Sequence, residues 1–419
     1  MSATAPFRKF LAGAVLSTTV LLSAVAGSLP AHAAGENYAG YLAEGYGIKW
    51  GQTITQQAFA DALVKAVKLD QAALVLEGKA DEVLSAQKAV SLAVKAAGLK
   101  ELAYSYPQEK VDQALQKANL AQKASGTLTL AQELAAAVDV GLLPEEYYQE
   151  AVKNGPVSAE LASLLIGKAL AFTGGYKNYL GDTVEEDIYG KLYQAWNTST
   201  LIEAPELRKV VDEGLKQNLV TGYNLKDARY ESHFDPKLSI TYGHSDITHA
   251  IQLVGLLRSE GISAKLQFEP KTSAFIYLKE WGEPQETPDY KVVQIENGNY
   301  IAYSKEYDIS FEFANQAEKE RFDAIISKYA KKNAEDQKGL LIASWWQPLY
   351  TSDTKLPNYQ EITNNKIVKG NFIAQSFSLN EKSADVVAGF KKLDPSINIT
   401  AYKFWADQPF YNYLQGESK

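Results

Sequence analysis

Three side chains able to hold a metal or move a proton crowd into one short stretch: His244, Asp246 and His249. Imidazole and carboxylate groups are zinc ligands, and His233 and Asp235 just upstream would add donors. Positions 244 and 249 do not share a helical face, so convergence requires His244 to lie in the turn before a helix. The reading favoured over a metal site is a helix cap whose imidazoles are hydrogen-bonded. Gly243-His244-Ser245 invites a nucleophile-elbow reading, which fails on two counts. Bulky Ile247 stands where a small residue is needed, and the one later histidine, His249, leaves no room for the acid. The chain contains no cysteine, which excludes thiol nucleophiles, thiolate zinc, iron–sulfur clusters and disulfides. Its 50 acidic residues offer many carboxylate pairs for glycoside cleavage, and the spacing marks none of them.

A second chemistry is stacking on sugars. Trp345, Trp346, Tyr350, Tyr359 and Trp405 are candidate binding residues, with Gln347, Asn358 and Gln360 beside them as hydrogen-bonding groups. Adjacent Trp345 and Trp346 on a strand must point to opposite faces, one inward and one outward. The competing reading makes these aromatics core and cross-strand pairs.

The elements that must position these residues fall into two halves. From about residue 38 to 195 the chain is rich in Ala, Leu, Val, Lys and Gln with 3.6-residue periodicity, which predicts helices. After about residue 201 it turns to Tyr, Phe, Trp, Ile and Thr with alternating runs, and Asn197-Thr198-Ser199-Thr200 reads as the hinge. In the first half, Thr55, Ser85 and Ser158 each precede an apolar helix as N-caps. In the second, Ile247, Ile251, Val254 and Leu257 form one helical stripe that ends at Gly261. Strands follow at 262–268 and 274–278, then a helix over 317–331 and a strand at 340–346. A strand–helix–strand unit over 371–377, 383–390 and 397–404 closes the chain.

The hydroxyl-capped units over about 40–180, with short turns ending in Gly98-Leu99 or Gly141-Leu142-Leu143, resemble S-layer homology modules, which attach exported proteins to cell-wall polymers. The residues after the caps are Gln56, Ala86 and Ala159, and arginine is absent from the span, so the family's guanidinium contact to anionic sugars is missing. Lys49, Lys65 and Lys68 remain as cations. Over about 238–310, Leu256-Leu257-Arg258-Ser259-Glu260-Gly261-Ile262-Ser263-Ala264-Lys265 resembles the helix ending of transglutaminase-like domains. That resemblance implies a nucleophile at Asp246, a histidine at Ser273 and an orienting acid near Asp308. A carboxylate cannot replace the cysteine as acyl acceptor, and Ser273 supplies no base, so the resemblance implies a frame without its chemistry.

The expected fold class is multi-domain: an N-terminal all-α helical region and a C-terminal α+β part, the latter a transglutaminase-like core plus the strand–helix–strand unit. The expected division is a signal peptide at 1–33, a helical region at 35–195, an α+β domain at 201–335 and an aromatic-rich segment at 336–419. Arg8 and Lys9, the apolar run 11–26 and Ala31-His32-Ala33 predict export with cleavage after Ala33, leaving no membrane segment. A net charge of −8 argues against a nucleic-acid partner. No cofactor is implied. The expectation is a secreted, cell-surface-associated, non-catalytic protein that binds cell-wall polymer or a surface glycan. The alternatives are a secreted polysaccharide-active enzyme using carboxylates or a metal near His244–His249, and a structural surface-layer protein.

Overall fold

The computed structural model describes residues 37–70, 74, 76, 78–120, 127–296, 298–329 and 349–417. The expected signal segment and the strand carrying Trp345 and Trp346 lie outside these residues.

The helical region comprises α1 (Tyr38–Gly45), α2 (Gln56–Val67), α3 (Ala86–Ala96), α4 (Lys100–Tyr104), α5 (Gln108–Lys117), α6 (Leu128–Asp139), α7 (Tyr148–Lys153) and α8 (Ala159–Phe172). Three helices begin at the expected caps. Thr55 Oγ1 accepts from the Ala58 amide at 3.2 Å, Ser85 Oγ from Lys88 at 3.5 Å and Ser158 Oγ from Leu161 at 3.1 Å. Thr127 caps α6 in the same way at 3.4 Å. Single β-bridges, Thr55 to Val83 and Ser85 to Pro156, stitch the starts of α2, α3 and α8 side by side. Their apolar faces, including Phe59, Leu63, Val90, Val94, Leu161 and Leu165, share one core. Each such side chain contributes about 1.5–3 kcal/mol by leaving water. At Gly167 the Tyr38 ring lies directly on α8, where a Cβ would fall 1.9 Å from the ring.

This core ends at Tyr176, earlier than the expected hinge at 197–200. β1 (Gly181–Asp182) pairs with β4 (Ala264–Tyr277), and α9 (Ile188–Thr198) buries Ile188 and Leu192 against the sheet that follows. The helical pattern of α9 reveals an apolar face but not whether a helix or a sheet covers it.

The second half is a closed antiparallel barrel of eight strands. Besides β4 these are β2 (Gly222–Asp227), β3 (Ser239–His244), β6 (Tyr300–Phe313), β7 (Tyr350–Ser352), β8 (Tyr359–Lys369), β9 (Phe372–Ser378) and β10 (Asn398–Asp407), with β5 (Tyr290–Gln294) on the free stretch of β6. The order is β4-β2-β9-β8-β10-β7-β3-β6, and β6 closes onto β4 over 14 residue pairs. The expected boundary at 335/336 therefore does not separate two folding units, because strands from both sides build one wall. The expected strands at 262–268 and 274–278 are one continuous strand, with Pro270 in the edge gap between β1 and β2. The closing strand–helix–strand unit is present as β9, α13 (Ser383–Leu393) and β10, and β8 lies between its two strands.

Strand alternation makes this barrel polar inside and apolar outside. Odd positions of β6 (Tyr307, Ile309, Phe311, Phe313) face outward to α9, α11 (Ile247–Ser259) and α12 (Gln316–Tyr329). Tyr223 and Leu225 of β2 face α10 (Pro205–Lys216) and α13. At one end α14 (Gln408–Leu414) lays Phe410 against Ile362 and Phe404, with Phe377 packed beside them. Among the described residues no helix is long and apolar enough to cross a membrane.

Candidate binding site in the barrel lumen

The inward positions of β4 and β6 form a charged ladder. Register sets Gln267 opposite Ser310, Glu269 opposite Asp308 and Lys271 opposite Glu306. Lys271 Nζ donates to Asp308 Oδ1 at 2.6 Å and lies 3.8 Å from Glu306. Lys226, from β2, reaches Glu269 at 2.5 Å and Asp308 at 2.9 Å. Ser310 donates to Glu269 at 2.9 Å. Burial opposes ionisation of Asp308, yet the two ammonium groups hold its carboxyl down at about 2. The same carboxylates raise Lys226 against its own burial. These charges are buried and mutually satisfied, which is the condition under which buried ion pairs persist.

Beside this ladder the lumen holds a cavity of about 150 Å³, lined by residues that include Asn224, Lys226, Lys271, Asp308, Asp353 and Asn364. Gln375, Phe377, Tyr402 and Phe404 also line it. Asp353 and Tyr402 line it while keeping exposed surface, so the cavity is open. Asn364 Nδ2 donates to the Tyr402 hydroxyl at 2.8 Å, whereas its Oδ1 is buried without a hydrogen-bond partner. Burial raises the Asp353 carboxyl, with Lys319 opposing. Lys319 is itself committed: its ammonium donates to the Pro236 and Lys237 carbonyls at 3.4 and 3.1 Å, and to Ser352 and Thr354 at 2.9 and 2.7 Å.

The residues singled out from sequence are dispersed. Ser273 points into the lumen, donating to Asn224 Oδ1 at 2.9 Å or Glu306 Oε2 at 2.8 Å. Asp246 stays outside the wall as the N-cap of α11, its Oδ1 accepting from Thr248 at 2.9 Å. The Thr248 amide holds the Asp246 carboxyl below its ordinary range. Tyr307 marks the side, since its hydroxyl donates to the Asp246 carbonyl at 2.8 Å while neighbouring Asp308 faces inward. The two positions implied for nucleophile and base thus lie on opposite faces of the barrel.

His244 and His249 do meet. His244 Nδ1 accepts from the Asp246 amide at 2.9 Å, which leaves its Nε2 proton, in the neutral ring, for His249 Nδ1 at 3.0 Å. This is the hydrogen-bonded cap arrangement. Among the described residues no three His, Cys, Asp or Glu side chains are grouped to hold a metal.

The stacking candidates need correction. Tyr350 and Tyr359 are 2% and 9% exposed and belong to the core between barrel and α12, so neither can receive a sugar. Trp405 is half-buried against the same core with Lys355 over its ring. Trp345 and Trp346 lie outside the described residues. Apart from Ser273 and Asp308, which the transglutaminase-like resemblance names, the lumen residues escaped the sequence reading. Their signal was the period-two run of Gln267, Glu269, Lys271 and Ser273 against that of Glu306, Asp308, Ser310 and Glu312. Compared with known proteins, the chain matches no family model, and no curated protein or solved structure matches it significantly.

Proposed function

We propose that this chain is an exported, cell-surface-associated binding protein without acyl-transfer chemistry, attached through its helical region and taking up a small polar ligand in its barrel. The observation that carries the reading is the separation of Asp246 from Ser273 across the barrel wall, beside a lumen that is open, polar and partly unsatisfied. A nucleophile and base must lie within hydrogen-bond reach of one another or of one substrate atom. A cavity of about 150 Å³ admits a small molecule and not a polymer strand.

Wall attachment belongs to the helical region on this reading. The stitched starts of α2, α3 and α8 support a modular origin like that of S-layer homology units. Lys49, Lys65 and Lys68 stay exposed and replace the missing arginines as cations for anionic wall polymer. Co-sedimentation of the signal-cleaved chain with purified cell-wall sacculi tests this. Retention should fall severalfold in a variant with Lys49, Lys65 and Lys68 changed to Gln, and in raised salt. A parent chain that stays in the supernatant at low salt overturns the attachment.

A further inference from the structure

We infer that the barrel lumen binds a small primary organic ammonium ion, its N–H groups meeting Asp353 and Asn364 Oδ1 and its short carbon body lying against Phe377, Phe404 and Tyr402. The inference rests on reading the lumen as a binding site and names the ligand's chemical class.

Charge is the first argument. The lumen's two ammonium groups, Lys226 and Lys271, are already engaged by Glu269, Glu306 and Asp308 and have no charge left for an anion. Asp353 adds a fourth carboxylate and, among the described residues, makes no ion pair. The Lys319 charge acts on it, but the three N–H groups of that ammonium are shared among four other oxygens. The cavity lining thus carries two charges of each sign, Lys226 and Lys271 against Asp308 and Asp353, and the charge left without an ion pair is the Asp353 carboxylate.

Hydrogen-bonding polarity is the second. Asn364 is 2% exposed, its amide nitrogen is committed to Tyr402, and its Oδ1 is an orphaned acceptor. A buried acceptor without a donor costs about 1–3 kcal/mol, which a ligand N–H relieves. A quaternary ammonium has no N–H and cannot do so. Shape is the third. About 150 Å³ matches a body of roughly six non-hydrogen atoms, the size of benzene. Aromatic faces next to the carboxylate suit an alkylammonium by cation–π attraction and apolar contact.

The test is calorimetric titration of the signal-cleaved chain with n-butylammonium, n-butanol, tetramethylammonium and butyrate. The expected result is saturable one-to-one binding of n-butylammonium, at least tenfold tighter than the other three probes. Asp353→Asn should weaken it at least tenfold with an unchanged thermal midpoint, and Asn364→Leu should narrow the gap between n-butylammonium and tetramethylammonium. If n-butanol or butyrate binds as tightly, the ammonium assignment falls while the lumen stands as a binding site. If no probe binds at millimolar concentration, both fall. Binding of n-butylammonium that Asp353→Asn leaves unchanged places the ion elsewhere and overturns the inference.

Discussion

Lys271 and Asp308 are the pair on which the lumen turns. Lys271 is 2% exposed, so removing its charge strands carboxylates away from water. Lys271→Met should destabilise the barrel by about 3–5 kcal/mol, the usual penalty for breaking a buried pair from one side. The double change Lys271→Met with Asp308→Leu should recover part of that loss, and urea denaturation of the three variants checks it. Acid should expose the same pair. The Asp308 carboxyl sits at about 2 in the fold, below its ordinary value, so its contribution is complete above about pH 4. It is lost as pH falls toward 2, and the urea midpoint should drop over that interval. Asp323 has the opposite sign. Burial pushes its carboxyl up to about 6, against a hydrogen bond with Tyr359. The native state then binds the extra proton, and stability falls as pH rises from about 4 to 6. Asp323→Asn should remove that slope from the same pH series.

At the level of elements, helices and strands make contacts of different legibility. The caps at Thr55, Ser85 and Ser158 were readable because capping is local: a hydroxyl needs only the amides three residues on. The Gly214 contact was not. It lies where α10 meets α13, and a Cβ there would fall 2.5 Å from the Phe390 ring. Glycine in a helix otherwise costs about 1 kcal/mol relative to alanine. Gly214→Ala should nevertheless destabilise by about 1–3 kcal/mol through overpacking, measured as a lowered denaturation midpoint. A stabilised variant would mean that the two helices can part without cost. Polar β4 and β6 illustrate the same limit. Alternation marks which residues share a face, but both faces of these strands are buried, one by helices and one by the closed wall. Sequence therefore separates the faces without saying which lies inside.

Among the described residues the buried apolar clusters fall into two regions, one cluster among α1–α8 and three against the barrel. Ion pairs join them, Lys177 with Glu312 at 2.8 Å and Lys237 with Glu44. The exposed second pair contributes little, whereas Lys177–Glu312 is buried on both sides, so calorimetry should show the helical region and the barrel unfolding in one transition, and two resolved transitions would refute that coupling. At this scale the lack of cysteine retains its force, since it excludes thiol chemistry wherever a residue falls. Composition, periodicity and capping by themselves determined the helical first half, the strand-rich second half, the positions of helix starts and the absence of thiol chemistry. These depend on residue type and on neighbours within a few positions. Only the tertiary structure decided that strands on both sides of residues 330–348 close one barrel, that Tyr350 and Tyr359 are core, and that Ser273 and Asp246 never meet. Each depends on which distant strands pair and therefore on which way an alternating side chain faces, and a one-residue change of register reverses that choice.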